Sequence, residues 1–134
     1  MFFADSQTTT TEIIVCITCR PQGASRELPA AGQLLFQAVL ALQNEARSPN
    51  VQVRSVACMS GCSRACTIAL QAAGKPTYYF GDLLATTETA AQVLTCARLY
   101  ADNADGALPR SQRPVCLRGG ILAKLPPLVS AAGL

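Results

Sequence analysis

Hydrophobic and polar positions change period repeatedly along the chain, and each change marks the edge of an element. After a polar leader over residues 1–11, Glu12-Ile13-Ile14-Val15-Cys16-Ile17 is short and β-branched and runs into Arg20-Pro21-Gln22-Gly23. That pattern predicts a buried strand ending in a loop. Leu34, Leu35, Ala38, Val39, Leu42 and Ala46 then recur at helical spacing until Ser48-Pro49-Asn50, which predicts a helix from about Gly32 to about Arg47. Val51, Val53, Ser55 and Ala57 alternate with Gln52, Arg54 and Val56, a second strand that ends at Cys58. Thr67-Ile68-Ala69-Leu70-Gln71 and Lys75-Pro76-Thr77-Tyr78-Tyr79-Phe80 flank Ala72-Ala73-Gly74, the signature of an antiparallel hairpin with Pro76 at the start of its second strand. Thr86 or Thr87 caps a final helix with Glu88 in its first turn and Ala90, Val93, Leu94, Ala97 and Ala101 on its apolar stripe, up to Asn103.

The predicted order is β-α-β-β-β-α. A crossover helix makes strands one and two parallel, and the hairpin adds antiparallel neighbours. The fold class is therefore α/β (α+β), a single thioredoxin-like domain with a mixed sheet over residues 12–106. Residues 107–134 carry Pro109, Pro114, Gly119-Gly120 and Pro126-Pro127 between apolar residues, which predicts an irregular tail packed on the domain or at an interface. In Tyr78, Tyr79 and Phe80 the alternation favours core and cross-strand packing over a stacking surface, and Asp82 is assigned to the turn that follows.

Composition narrows the chemistry. With 134 residues, half of them hydrophobic and 14% charged, the chain can bury a core and is not disordered. Its longest apolar run, Leu34 to Leu42, contains Gln37 and falls short of the roughly 20 residues a membrane span needs. The start lacks the marks of a secretory signal, so a cytoplasmic setting is expected. The net charge of +3 comes from scattered basic residues, a poor footprint for nucleic acid. There is no histidine, which removes mixed zinc fingers, Rieske centres and histidine-assisted nucleophiles.

Seven cysteines in a reducing compartment point to metal or redox chemistry rather than a disulfide framework. Five are grouped, in Cys16-Ile17-Thr18-Cys19 and in Cys58-Met59-Ser60-Gly61-Cys62-Ser63-Arg64-Ala65-Cys66. Each group follows a predicted strand, and adjacent parallel strands would bring the two together. Four thiolates arriving as two close pairs meet the demand of a metal centre at low chain-entropy cost. Cys16, Cys19, Cys58 and Cys62 are the expected ligands, with Cys66 as the alternative. Around them Gly61 allows close backbone approach, Thr18, Ser60 and Ser63 offer hydroxyls, and Arg20 and Arg64 offset thiolate charge. Cys96 and Cys116, both isolated, read as ordinary reduced cysteines.

The stretch Cys58-x-x-Gly61-Cys62-x-x-Ala65 resembles thioredoxin-like 2Fe-2S ferredoxins and the related cluster domain of respiratory complex I. Val15-Cys16-x-Thr18-Cys19-Arg20 and Cys58-x-Ser60-Gly61-Cys62-x-Arg64-x-Cys66-Thr67 are more similar to a bacterial domain-of-unknown-function family, number 1636, of predicted metal-binding proteins. Ala69-Leu70-Gln71-Ala72-x-Gly74-Lys75, Tyr78-x-Phe80-Gly81-Asp82, Asp105-Gly106-x-Leu108-Pro109 and Arg113-Pro114 extend that similarity. The resemblance implies metal binding without naming a reaction, and homodimerisation through an edge strand or the tail. The first pair is spaced by only two residues, and Cys66 stands where the ferredoxins usually carry proline. The ligand set thus stays open between the two pairs and a set of Cys58, Cys62 and Cys66 with one of Cys16 and Cys19.

Three functions follow. The first is a 2Fe-2S, or alternatively 4Fe-4S, electron carrier or cluster-bearing accessory protein that meets a redox partner protein. It is expected to be no enzyme and to bind neither nucleic acid nor membrane. The second is a structural four-cysteine zinc module for protein interaction. The third is a thiol-disulfide oxidoreductase using Cys16 and Cys19, encouraged by Lys75-Pro76-Thr77 as a site-facing proline and weakened because no helix starts directly at Cys19.

Overall fold

The computed structural model describes residues 9–129. Most of the expected leader and the last residues of the expected tail lie outside that range. The β-branched run forms β1, Thr11–Cys16, buried along nearly its whole length. Helix α1, Ala31–Ala46, carries the chain back to β2, Val51–Val56, which pairs parallel with β1 from Thr11 opposite Val51 to Cys16 opposite Val56. β3, Ile68–Gln71, and β4, Thr77–Phe80, form the expected hairpin, with β3 antiparallel to β1. Its turn is closed by the Lys75 amide on the Ala72 carbonyl (3.1 Å), and Gly74 takes a φ of 77° that favours glycine. Helix α2, Thr87–Asp102, starts where Thr86 accepts the Thr89 amide (3.1 Å).

One segment departs from expectation. The tail is not wholly irregular: Ile121–Leu125 forms β5, antiparallel to β4, and completes the sheet order β2-β1-β3-β4-β5. Proline and glycine on both sides masked a short strand whose partner, β4, otherwise presents an unpaired edge. Short 3-10 turns at Arg110–Gln112 and Val115–Leu117 lead into it.

The helices pack on each other and both touch β1 and β2. Between them and the sheet lie Ile13, Val15, Leu35, Val39, Ile68, Leu70, Phe80, Val93 and Tyr100, all fully buried. The α1 stripe is narrower than the periodicity suggests: Leu35 and Val39 are buried while Leu34 is exposed. Gln43 continues that stripe, and its amide donates to the carbonyls of Ser48 (3.0 Å) and Val51 (2.9 Å), fixing the turn into β2. Tyr78 and Phe80 face this core, with Tyr78 edge-on to Tyr100 at 5.9 Å. Tyr79 alternates to the other face. Among the described residues no helix is long and apolar enough to cross a membrane.

Lys75 and Pro76 sit at the hairpin, where Gln71 lies opposite Glu12, the start of β1. They therefore occupy the end of the sheet remote from Cys16, and Pro76 does not face the cysteines. Lys75 is 7% exposed, and its ammonium donates to the carbonyls of Tyr100 (3.0 Å) and Ala101 (3.1 Å), the last turn of α2. It thereby satisfies carbonyls that a helix end leaves without partners. Lys75→Met should lower unfolding free energy by about 1–3 kcal/mol. Urea denaturation checks this, with an earlier midpoint expected at an unchanged slope.

Candidate metal centre

The parallel pairing of β1 and β2 places their C-terminal ends side by side. Beyond Cys16 the backbone stays in register for one more bond, from the Ile17 amide to the Val56 carbonyl (2.9 Å). The Thr18 hydroxyl then donates to the carbonyl of Ala57, stitching the first cysteine loop to the start of the second. The expectation that the loops meet holds.

Cys16 and Cys19 are buried, while Cys58 and Cys62 are exposed. The second two stand 3.9 Å apart, and the first two are close enough to shift each other's protonation. Polar backbone reaches both pairs: Ser60 N–H donates to Cys58 Sγ (3.3 Å), and the Cys16 thiol donates to the Ala57 carbonyl (3.9 Å). Burial pushes the Cys16 thiol up, but hydrogen bonds from Cys19, from the Met59 backbone and from Thr18 outweigh it and leave Cys16 below its ordinary value. Its partner Cys19 is pushed up by burial and by Cys16, partly offset by Thr67, whose hydroxyl lies 3.5 Å from Cys19 Sγ. Cys62 is raised by its hydrogen bond with Cys58 and by the charges of Cys58 and Cys16. Among the described residues the thiols remain two pairs, since no three cysteine, aspartate or glutamate side chains gather tightly enough to hold one ion.

Cys66 lies behind the first pair. It is fully buried, and its backbone exchanges two 3.1 Å hydrogen bonds with Leu83, which prolongs the hairpin ladder. Burial, then the charges of Cys19 and Cys16, push its thiol up to about 11. Cys96, in α2, is likewise pushed up to about 12 by burial. Cys116 is partly buried in the turn before β5, with its amide on the Gln92 side chain (2.9 Å).

Three neighbouring residues act differently from the sequence expectation. Arg20 donates its guanidinium to the carbonyls of Ser25 (2.9 Å) and Leu28 (2.6 Å), so it braces the loop before α1. Arg64 forms a forked pair with Asp82 at the surface, where double donation to a carboxylate suits guanidinium geometry. Gly61 does bring its backbone close, but to a different partner. A Cβ there would strike the Tyr79 hydroxyl and come within 2.8 Å of the Thr67 methyl.

Gly32, Thr67 and Tyr79 are members of the site that the sequence did not reveal. Gly32 donates to the Cys19 carbonyl (2.9 Å), and a Cβ on it would collide with the Cys16 carbonyl oxygen and lie 3.2 Å from Cys19 Cβ. The first turn of α1 therefore seats directly on the cysteine loop, although many residues separate them in sequence. The one available signal was a glycine at the start of an otherwise well-formed helix.

The pattern that defines one protein family matches residues 13–127, spanning β1 to β5 and both cysteine loops. The chain belongs to that family, described as Protein of unknown function (DUF1636). Beyond the family, the solved structure of a thioredoxin-like 2Fe-2S ferredoxin from Aquifex aeolicus is similar at a TM-score of 0.52 and 16% identity. The similarity covers 90% of this chain and 98% of that one, and it establishes the thioredoxin-like fold. Comparison with curated proteins finds no match.

Gly32→Ala should destabilise the fold by about 1–3 kcal/mol, because the added methyl meets backbone rather than a pliable side chain. Gly119→Ala is the control, since a Cβ there meets nothing within 4 Å. Thermal unfolding of the two variants beside the parent checks this, with a loss expected only for Gly32→Ala.

Proposed function

We propose that this chain holds a 2Fe-2S cluster through Cys16, Cys19, Cys58 and Cys62 and serves as a one-electron carrier or cluster-bearing accessory protein. The observation that carries this reading is the division of the thiols into two close pairs on neighbouring loops. Two thiolates bound to one tetrahedral metal at about 2.3 Å stand roughly 3.8 Å apart. Cys58 and Cys62, at 3.9 Å, already have that spacing. A two-iron core takes two protein ligands on each iron, so two separate pairs suit it better than a single zinc, which needs all four in one tetrahedron. The donor chemistry fits as well, being thiolate only and supported by the Ser60 amide on Cys58 and the Thr67 hydroxyl beside Cys19. The similar Aquifex aeolicus protein, itself a 2Fe-2S ferredoxin, supports the same cluster type.

When bound, such a cluster supplies reversible one-electron transfer. The chain's own residues would then divide the work. Cys16 and Cys19 hold the inner side away from water, and Cys58 and Cys62 leave the outer side open toward a redox partner. Cys66 backs the site through its ladder with Leu83 and is not a ligand in this reading.

Protein purified without oxygen should be brown and contain about two iron and two sulfide per chain, with a paramagnetic signal after dithionite. Serine in place of any of the four ligand cysteines should abolish or sharply lower iron retention. Cys66→Ala, Cys96→Ser and Cys116→Ser should keep it. Absorption, electron paramagnetic resonance and metal analysis on one sample decide the matter. Colourless protein with one zinc per chain would establish the interaction module instead, and metal-free folded protein would defeat both metal readings.

A further inference from the structure

Tyr79 has no role in the ligand set, yet its side chain is the one that joins the exposed loop to the sheet. Strand alternation puts it on the face away from the helical core, opposite in direction to Tyr78 and Phe80. Its hydroxyl donates to the Met59 carbonyl (2.9 Å), in the middle of the Cys58–Cys62 loop. The space it fills is the space that glycine leaves at position 61, since a Cβ there would meet the hydroxyl. The Thr67 methyl borders the same space, 2.8 Å from where that Cβ would stand, and the Thr67 hydroxyl lies 3.5 Å from Cys19 Sγ.

We propose that Tyr79 is the positioning residue of the centre, pinning the exposed Cys58–Cys62 loop against the buried Cys16–Cys19 pair through its hydroxyl on Met59 and its fit beside Gly61. Held this way, the outer loop is tied to β4 through the Met59 carbonyl, and the Thr67 side chain, with its methyl beside Gly61 and its hydroxyl 3.5 Å from Cys19 Sγ, continues the contact to an inner thiol. A hydrogen bond from a strand is a stiffer support than loop backbone alone, because β4 is paired on both sides, with β3 and with β5. Burial pushes the Tyr79 phenol up, partly offset by its hydrogen bond with Thr67. The inference that this pinning slows metal release rests on the metal reading; the pinning itself does not.

The test compares the parent with Tyr79→Phe, which keeps the ring in place and removes only the hydroxyl. In metal-free protein, alkylation of each cysteine by iodoacetamide is followed by mass mapping. Cys16 should react about fivefold faster in the variant, the effect of one lost hydrogen bond on loop opening, while the core thiol Cys96 stays as slow as in the parent. In metal-loaded protein, release to a chelator should be roughly tenfold faster, as expected when support for a ligand loop is removed. Gly61→Ala should reproduce both effects in the parent and add less to them in the Tyr79→Phe background, because part of its collision has been removed. An unchanged Cys16 rate in Tyr79→Phe overturns the proposal, and so does a parallel rise at Cys96, which would reveal a merely looser fold. A parent protein that takes up no metal sinks the cluster reading, and the alkylation arm then decides the role of Tyr79 alone.

Discussion

Everything at the cysteine end depends on the parallel pairing of β1 with β2. Two parallel strands joined by a crossover helix finish at the same edge of the sheet, so residues that follow them are neighbours whatever the length of the connection. The register, with Cys16 opposite Val56, puts the first cysteine at the last rung of the ladder and the second loop just beyond it. A shift of one residue would turn Cys16 to the other face and separate the pairs. Ile13 and Val15, buried against the helices, hold that register, so the same alternation that builds the core aims the first thiol.

The site combines a dry half with a wet one. Buried thiolates without partners are costly, and the structure meets that cost with hydrogen-bond donors rather than with cations. Arg20 and Arg64 are close in sequence to cysteines and engaged elsewhere, one with loop carbonyls and one with Asp82. The polar groups that do reach sulfur are the Ser60 amide on Cys58 and the hydroxyls of Thr18, beside Cys16, and Thr67, beside Cys19. Such donors are fixed by the fold, so they tune a thiolate's charge without adding a mobile counter-charge at the surface.

Much of this was legible in the sequence, and what was not has a common physical origin. Strand and helix placement followed from composition and period: β1 and β3 are short apolar runs buried on both faces, β4 alternates, and each helix buries one stripe. The meeting of the cysteine loops followed from topology alone. Tyr79, Thr67 and Gly32 were invisible because their roles arise from contact between segments distant in sequence, where no local period or spacing signals them. The β4 alternation did separate Tyr79 from Tyr78 and Phe80, but the aromatic run favoured a shared core assignment over that one-residue difference. For Gly61 the sequence pointed to close backbone approach, and the structure adds that the space a side chain would take is filled by the Tyr79 hydroxyl. β5 was missed since its pairing is imposed by the open edge of β4 and not by its own composition.

The position of the site relative to the core sets how metal and folding are linked. In small metal-bound modules the ion replaces a core, and binding energy is folding energy. Here Leu35, Val39, Phe80, Val93 and Tyr100 form a continuous apolar core between helices and sheet, and none of them belongs to the cysteine loops. Cys16 and Cys19 are themselves part of the buried cluster, whereas Cys58 and Cys62 stand outside it. Ligation by the four proposed cysteines would therefore tie one exposed loop to a core that the apolar side chains already build, and the outer loop is the part whose order a bound metal would change most.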